Sequence, residues 1–133
     1  MEILYMTTTI REWQKKYSTN TKFRLRCIWY NLGQRRCHCC GVQLNWTGAF
    51  DNTASIEHLV PKSRGGTMAK PNIIIVCKSC NNKRKNSDYI LWVIRNQFPK
   101  KEWLIAKYIA AVEYYEEVGH SINIKTNHLK EYK

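Results

Sequence analysis

Acidic side chains are scarce in this sequence, long apolar runs are missing, and nothing repeats. The 133 residues hold 10 aspartates and glutamates against 22 lysines and arginines, a formal charge of +12. The excess is uneven: residues 1–86 carry 15 basic and 4 acidic side chains (+11), residues 87–133 carry 7 and 6 (+1). A merely solubilising surface would not be so lopsided, so the first part of the chain is expected to hold a polyanion. No stretch of about 18 apolar residues occurs, which excludes a membrane-spanning helix. The opening MEILYMTTT has no basic leader and no long apolar segment, so a secretory signal is not expected and a cytoplasmic location is. Without export, the six cysteines are not expected to form a disulfide framework.

What is present is an ordinary globular composition, 44% apolar and 24% charged, in a length that suits one domain with a modest core. Thr8 or Thr9 can cap a short helix over residues 10–17. The segment TKFRLRCIWYNL reads as a second helix, with Phe23, Cys27 and Tyr30 at i, i+4 and i+7 and Gly33 as its stop. Residues 54–60 read as a strand, and residues 61–71 as a basic loop punctuated by Gly65, Gly66 and two prolines. Ile73–Val76 is a β-branched run suited to a buried strand, and a short helix follows over residues 77–85. Ser87-Asp88 can cap a helix over YILWVIRNQF. A long amphipathic helix over residues 100–118, with Trp103, Ala106 or Lys107, Ala110 and Tyr114 on one stripe, closes at Gly119. The tail from residue 120 onward carries no signal and is expected to be mobile.

Two Cys-x-x-Cys pairs, Cys37/Cys40 and Cys77/Cys80, point to metal in a reducing compartment. Such a turn lets two thiolates meet one ion with little strain, and Gly41 permits it after the first pair. Two turns complete a closed tetrahedral zinc site with no open position, so this zinc is expected to be structural. Cys39 is expected to point elsewhere, with its exchange for one ligand as an alternative, and Cys27 to pack in the core.

Further features follow a fixed order: Glu57-His58, then Pro61, Lys62, Arg64, Gly65 and Gly66 in the loop, then Asn72 ahead of an apolar run. Cys77-x-x-Cys80-Asn81, followed by Lys83, Arg84 and Lys85, completes the series. Together, from about Arg36 to Asn86, they resemble the HNH endonuclease family. The resemblance implies an α+β fold: a small ββα-metal core (residues 36–86), stapled by the four-cysteine zinc site. A basic helical flank (1–35) would precede this core, and C-terminal helices (87–119) and a tail (120–133) would follow it, all as one domain. It also accommodates the long gap between the two cysteine pairs.

Phosphodiester hydrolysis needs an activated water, charge neutralisation at the phosphate and a stabilised leaving oxyanion. His58, aligned with the family's acid-His pair, is the candidate general base, since a neutral imidazole with a pKa of about 6.5 can take a proton at neutral pH. Strand alternation sends Glu57 and His58 to opposite sides. The resemblance gives Glu57 the role of catalytic-metal ligand and Asn81 that of second ligand, with Asn82 replacing it if the helix starts one residue later. It gives Asn72 the task of holding loop and His in register. A carboxylate with an amide oxygen suits Mg²⁺ or Mn²⁺. Arg84, at i+3 from Asn81, is expected to reach the substrate phosphate. Lys62, Arg64, Lys83, Lys85, Arg35 and Arg36 are candidate backbone contacts, each with a plain solvated face as the alternative.

The expected function is metal-dependent hydrolysis of DNA, double-stranded by preference, by an endonuclease of the phage or mobile-element type. One site would nick one strand; monomer and homodimer both stay open. The alternative is a zinc-stabilised nucleic-acid-binding module without catalysis, and an RNA substrate is also open.

Overall fold

The computed structural model describes residues 4–5, 8–9, 21–85 and 87–124, with side chains from residue 25 onward. The helix expected over residues 10–17 and the chain beyond residue 124 lie outside these. Two short strands, β1 (Leu4–Tyr5) and β2 (Thr8–Thr9), pair antiparallel. Helix α1 (Thr21–Asn31) follows where the apolar spacing places it. It stops at Gly33, whose φ of 89° lies in the left-handed region that glycine adopts without strain.

The centre of the molecule is β3 (Ala54–His58), β4 (Ile73–Cys77) and α2 (Lys78–Arg84), a ββα unit flanked by helices, so the fold is α+β as expected. Every residue of β4 is buried, as a run of three isoleucines and a valine between two packed layers requires. Strands β3 and β4 pair antiparallel from Ala54↔Cys77 to His58↔Ile73. The ladder continues one step further, with the Leu59 amide donating to the Asn72 carbonyl at 2.8 Å.

Helix α3 (Tyr89–Asn96) is capped by Asp88, whose Oδ1 accepts from the Leu91 amide at 3.0 Å. Helix α4 (Lys101–Glu117) packs against α3 and against the turn at Lys70–Asn72. Its inner face is not the expected stripe. Leu104, Ile105, Tyr108, Ile109, Ala111, Val112 and Tyr115 are buried, whereas Trp103 and Ala110 are exposed and Tyr114 is half-buried. Apolar residues surround this helix, so the packing partner, not the pattern, sets the phase.

The tail also departs from expectation over residues 120–124, which dock on the glycine loop. The Asn123 amide donates to the Arg64 carbonyl at 2.8 Å, and His120 Nε2 donates to the Gly65 carbonyl at 2.7 Å. Among the described residues no helix is long and apolar enough to cross a membrane.

Candidate active site and metal centre

The first structural staple is a cluster of four thiols. The Sγ atoms of Cys37, Cys40, Cys77 and Cys80 all lie within 4.8 Å of one another. Cys40 and Cys77 are 3.8 Å apart, close to the tetrahedral edge of about 3.8 Å that Zn–S bonds of about 2.3 Å imply. The local backbone is built for this. Gly41, with φ of 82°, turns the first knuckle, and the Cys77 sulfur accepts from the Cys80 amide at the head of α2. The first knuckle is fastened to β4 through His38, whose Nδ1 donates to the Ile75 carbonyl at 2.7 Å. The His38 ring is held between Trp29, edge-on, and Trp103, stacked at 4.8 Å. Burial pushes its pKa down, so it is a neutral anchor.

Crowding splits the thiols electrostatically. The Cys39 hydrogen bond holds Cys37 far below the usual thiol range. Burial pushes Cys77 up to about 11, and the bond to Cys37 raises Cys80. Four close thiols that cannot all ionise alone are what a divalent, thiophilic cation resolves, so the donor set fits structural zinc. Cys39 is buried outside the four-sulfur set, with its amide donating to the Cys37 sulfur.

The second staple is Asn72, fully buried at the end of β4's approach. Its Oδ1 accepts from the Val60 amide at 2.7 Å, and its Nδ2 donates to the carbonyls of Val60 (3.0 Å) and Thr67 (2.9 Å). The side chain thus imitates the next rung of the β3–β4 ladder and closes the loop that leaves His58. Gly66 sits against it so tightly that a Cβ there would lie 1.6 Å from the Val60 carbonyl oxygen. Thr67 is tied to α4 through the Tyr115 hydroxyl, 2.8 Å from both its amide and its Oγ1.

Between these staples lies a cavity of about 220 Å³ lined by Glu57, His58, Lys62, Asn81, Arg84 and Lys85, among others. Glu57 and His58, neighbours on β3, therefore share it despite strand alternation. The Asn81 amide donates to Ser55 Oγ at 2.7 Å and to the Ile56 carbonyl at 3.1 Å, an anchorage that does not need its Oδ1. Asn82 is exposed and outside the lining.

Glu57 is all but fully buried. Burial raises its pKa to about 7, against the opposing pull of Arg84. Its Oε1 faces Arg84 Nη1 at 3.4 Å, while Oε2 is buried with no hydrogen-bond partner. Glu57 and Asn81 line one cavity, and a carboxylate with an amide oxygen is a donor set that suits Mg²⁺ or Mn²⁺.

The basic residues divide. Lys62 and Lys85 are exposed on the cavity rim. Lys83 and Arg36 are exposed away from it. Arg64 turns toward the tail, donating to the Asn123 carbonyl at 3.3 Å. Arg35 lies 3.8 Å over the Tyr30 ring and donates to the Tyr30 carbonyl, closing α1. Arg84 is the most enclosed of the described basic residues. Its side chain is buried, with Nη1 donating to the His58 carbonyl at 2.7 Å and Nη2 to the Leu59 carbonyl at 2.8 Å. It holds Glu57 and the end of β3 from a place in the cavity lining. Ser55 and His38, the anchors of Asn81 and of the first knuckle, carry no spacing signal that would have singled them out.

Residues 37–87 match the model of the family described as HNH endonuclease. The chain is also 30% identical, over 87 residues, to the CRISPR-associated endonuclease Cas9 of Corynebacterium diphtheriae. That match takes in 62% of this chain and only 8% of the Cas9 protein. No solved structure matches the chain.

Proposed function

Because residues 37–87 place this chain in the HNH endonuclease family, we propose that it is a metal-dependent nuclease that hydrolyses phosphodiester bonds of duplex DNA. The observation that carries the reading is the convergence of Glu57, His58 and Asn81 on one cavity rimmed by Lys62 and Lys85. Binding alone does not call for that set.

Glu57 and Asn81 would hold the catalytic Mg²⁺ or Mn²⁺, which when bound neutralises phosphate charge and stabilises the leaving oxyanion. His58 accepts, at a ring nitrogen, the proton of the water that attacks phosphorus. Asn72 fixes the turn two residues after His58, so the imidazole cannot drift with the loop. Arg84 keeps Glu57 in place from behind. Lys62 and Lys85 draw the strand in by charge. One such site cuts one strand, so a single copy nicks.

The test is relaxation of supercoiled plasmid by wild type and His58→Ala, with and without Mg²⁺. Wild type is expected to nick only with the ion, and His58→Ala to lose at least about a hundredfold in rate. Equal cutting by His58→Ala overturns the base assignment. Salt-sensitive binding without any cutting would make the protein a binding module instead.

A further inference from the structure

A second, smaller cavity adjoins the first. It measures about 160 Å³ and is lined by Arg26, Ser55, Ile56 and Asn81. Ile56 and Asn81 line both cavities, so the two adjoin at a shared wall. We propose that this second cavity seats a backbone phosphate adjacent to the scissile one, bound by Arg26 and Ser55. The inference rests on the nuclease reading above and adds to it a substrate contact from α1.

The chemistry of the walls selects an anion. Among the described residues the lining contains a guanidinium, a hydroxyl and a carboxamide, and no carboxylate. Arg26 comes from α1 and is tethered by Nη1, which donates to the Ala54 carbonyl at 3.0 Å. That bond fixes the head group at the cavity wall. Ser55 Oγ accepts from the Asn81 amide at 2.7 Å. A hydroxyl that accepts at its oxygen keeps its own proton for donation, so Ser55 can hold Asn81 and a phosphate oxygen together.

A nucleic-acid strand presents one phosphate after another, and two cavities with a shared wall offer two adjoining seats. The larger seat carries His58 and Glu57; the smaller carries no group that could take a proton from water. The phosphate held there is therefore bound and not cut. Through Ser55, its seat is also one hydrogen bond from the amide that Asn81 uses to orient itself, so filling it steadies Asn81.

The experiment uses the full chain. Binding of a labelled duplex is measured by fluorescence anisotropy over a range of salt, without added divalent cations, for wild type, Arg26→Gln and Arg26→Lys. Zinc per chain serves as the check on folding. Arg26→Gln is expected to bind about 10-fold more weakly, with the slope of log affinity against log salt shallower by about 0.9; Arg26→Lys is expected to keep the slope. In parallel, a duplex with a mapped cut site carries a neutral methylphosphonate at each linkage flanking the cut. One of these linkages is expected to slow wild type about 10- to 100-fold and to slow Arg26→Gln no further. Ser55→Ala, which leaves the Arg26 tether intact, gives the same comparison should Arg26→Gln lose its zinc. An unchanged salt slope, or variants that suffer as much as wild type from every neutral linkage, overturns the seat and leaves the nuclease reading standing. Wild type that binds with the predicted slope change but never cuts sinks the nuclease and keeps the seat; no duplex binding at all sinks both.

Discussion

Arg84 Nη1 lies 3.4 Å from Glu57 Oε1, and both side chains are sealed from solvent, at 2% and 3% exposure. A buried ion pair of this kind contributes little net stability while intact and a large penalty when halved. Arg84→Met, measured at a pH high enough to ionise Glu57, strands the carboxylate and is expected to destabilise the protein there by about 3–5 kcal/mol. The double variant Arg84→Met/Glu57→Gln should recover the part due to the stranded charge, while the His58 and Leu59 carbonyls that Arg84 served stay unpaired. Thermal melts of the three proteins at one pH decide it; equal losses in single and double variants would remove the pair from the account.

The same carboxylate sets a pH dependence. Burial lifts the Glu57 pKa to about 7, above its unfolded value of about 4.3. Folding therefore favours the protonated acid, and the native state loses stability as pH rises from about 4.3 to about 7, by roughly 3 kcal/mol in all. This sign holds for protein free of the catalytic cation, which would favour the charged form. Urea melts of wild type minus Glu57→Gln, taken across that range in Mg²⁺-free buffer, isolate the effect from the thiols. A flat difference contradicts it.

Zinc content should separate the cysteines. One zinc per chain is expected, retained in Cys39→Ala and Cys27→Ala and lost in Cys37→Ser or Cys80→Ser, whose native circular dichroism should disappear with it. Metal released on thiol modification, read with a colorimetric chelator, gives the count. Zinc retained by Cys80→Ser would mean that Cys39 completes the site.

Asn81 and its exposed neighbour Asn82 offer a matched pair. Asn81→Ala is expected to raise the Mg²⁺ concentration for half-maximal plasmid nicking by about 10-fold or more, and Asn82→Ala to leave it unchanged. The reverse order would shift the ligand by one residue.

Asn72→Ala leaves the buried Val60 amide and two carbonyls without partners, a cost of about 2–4 kcal/mol. Gly66→Ala drives a methyl into the Val60 carbonyl and should fail more severely. Hydrogen exchange at the Val60 amide is the local readout: it should be fast in Asn72→Ala and slow in wild type.

How far this was legible from sequence depends on whether residue type or packing decides. The knuckles, the ββα order and the helix caps were legible, because Cys-x-x-Cys, a β-branched run, Gly33 and Asp88 each have one good local use. The face of α4 was not, since apolar residues circle it and only α3 and the Lys70–Asn72 turn choose among them. The burial of Arg84 was hidden for a related reason. In the run Lys83-Arg84-Lys85 the three cations look alike, and the helix turns only the middle one onto Glu57. Arg26 and Ser55 meet Asn81 across more than 25 residues of chain, and no spacing rule reaches that far.

Residues 120–124 lace onto the loop that leaves His58, holding Arg64 and Gly65 by their carbonyls. Ile124 lines a cavity with Pro61 and Arg84, which also line the cavity of His58, so a pull on residues 120–124 acts as a lever on the Gly65 bend. A fusion partner placed downstream is a perturbation of the reaction centre, one that a releasable linker after Ile124 would make visible as a change in nicking rate when it is severed.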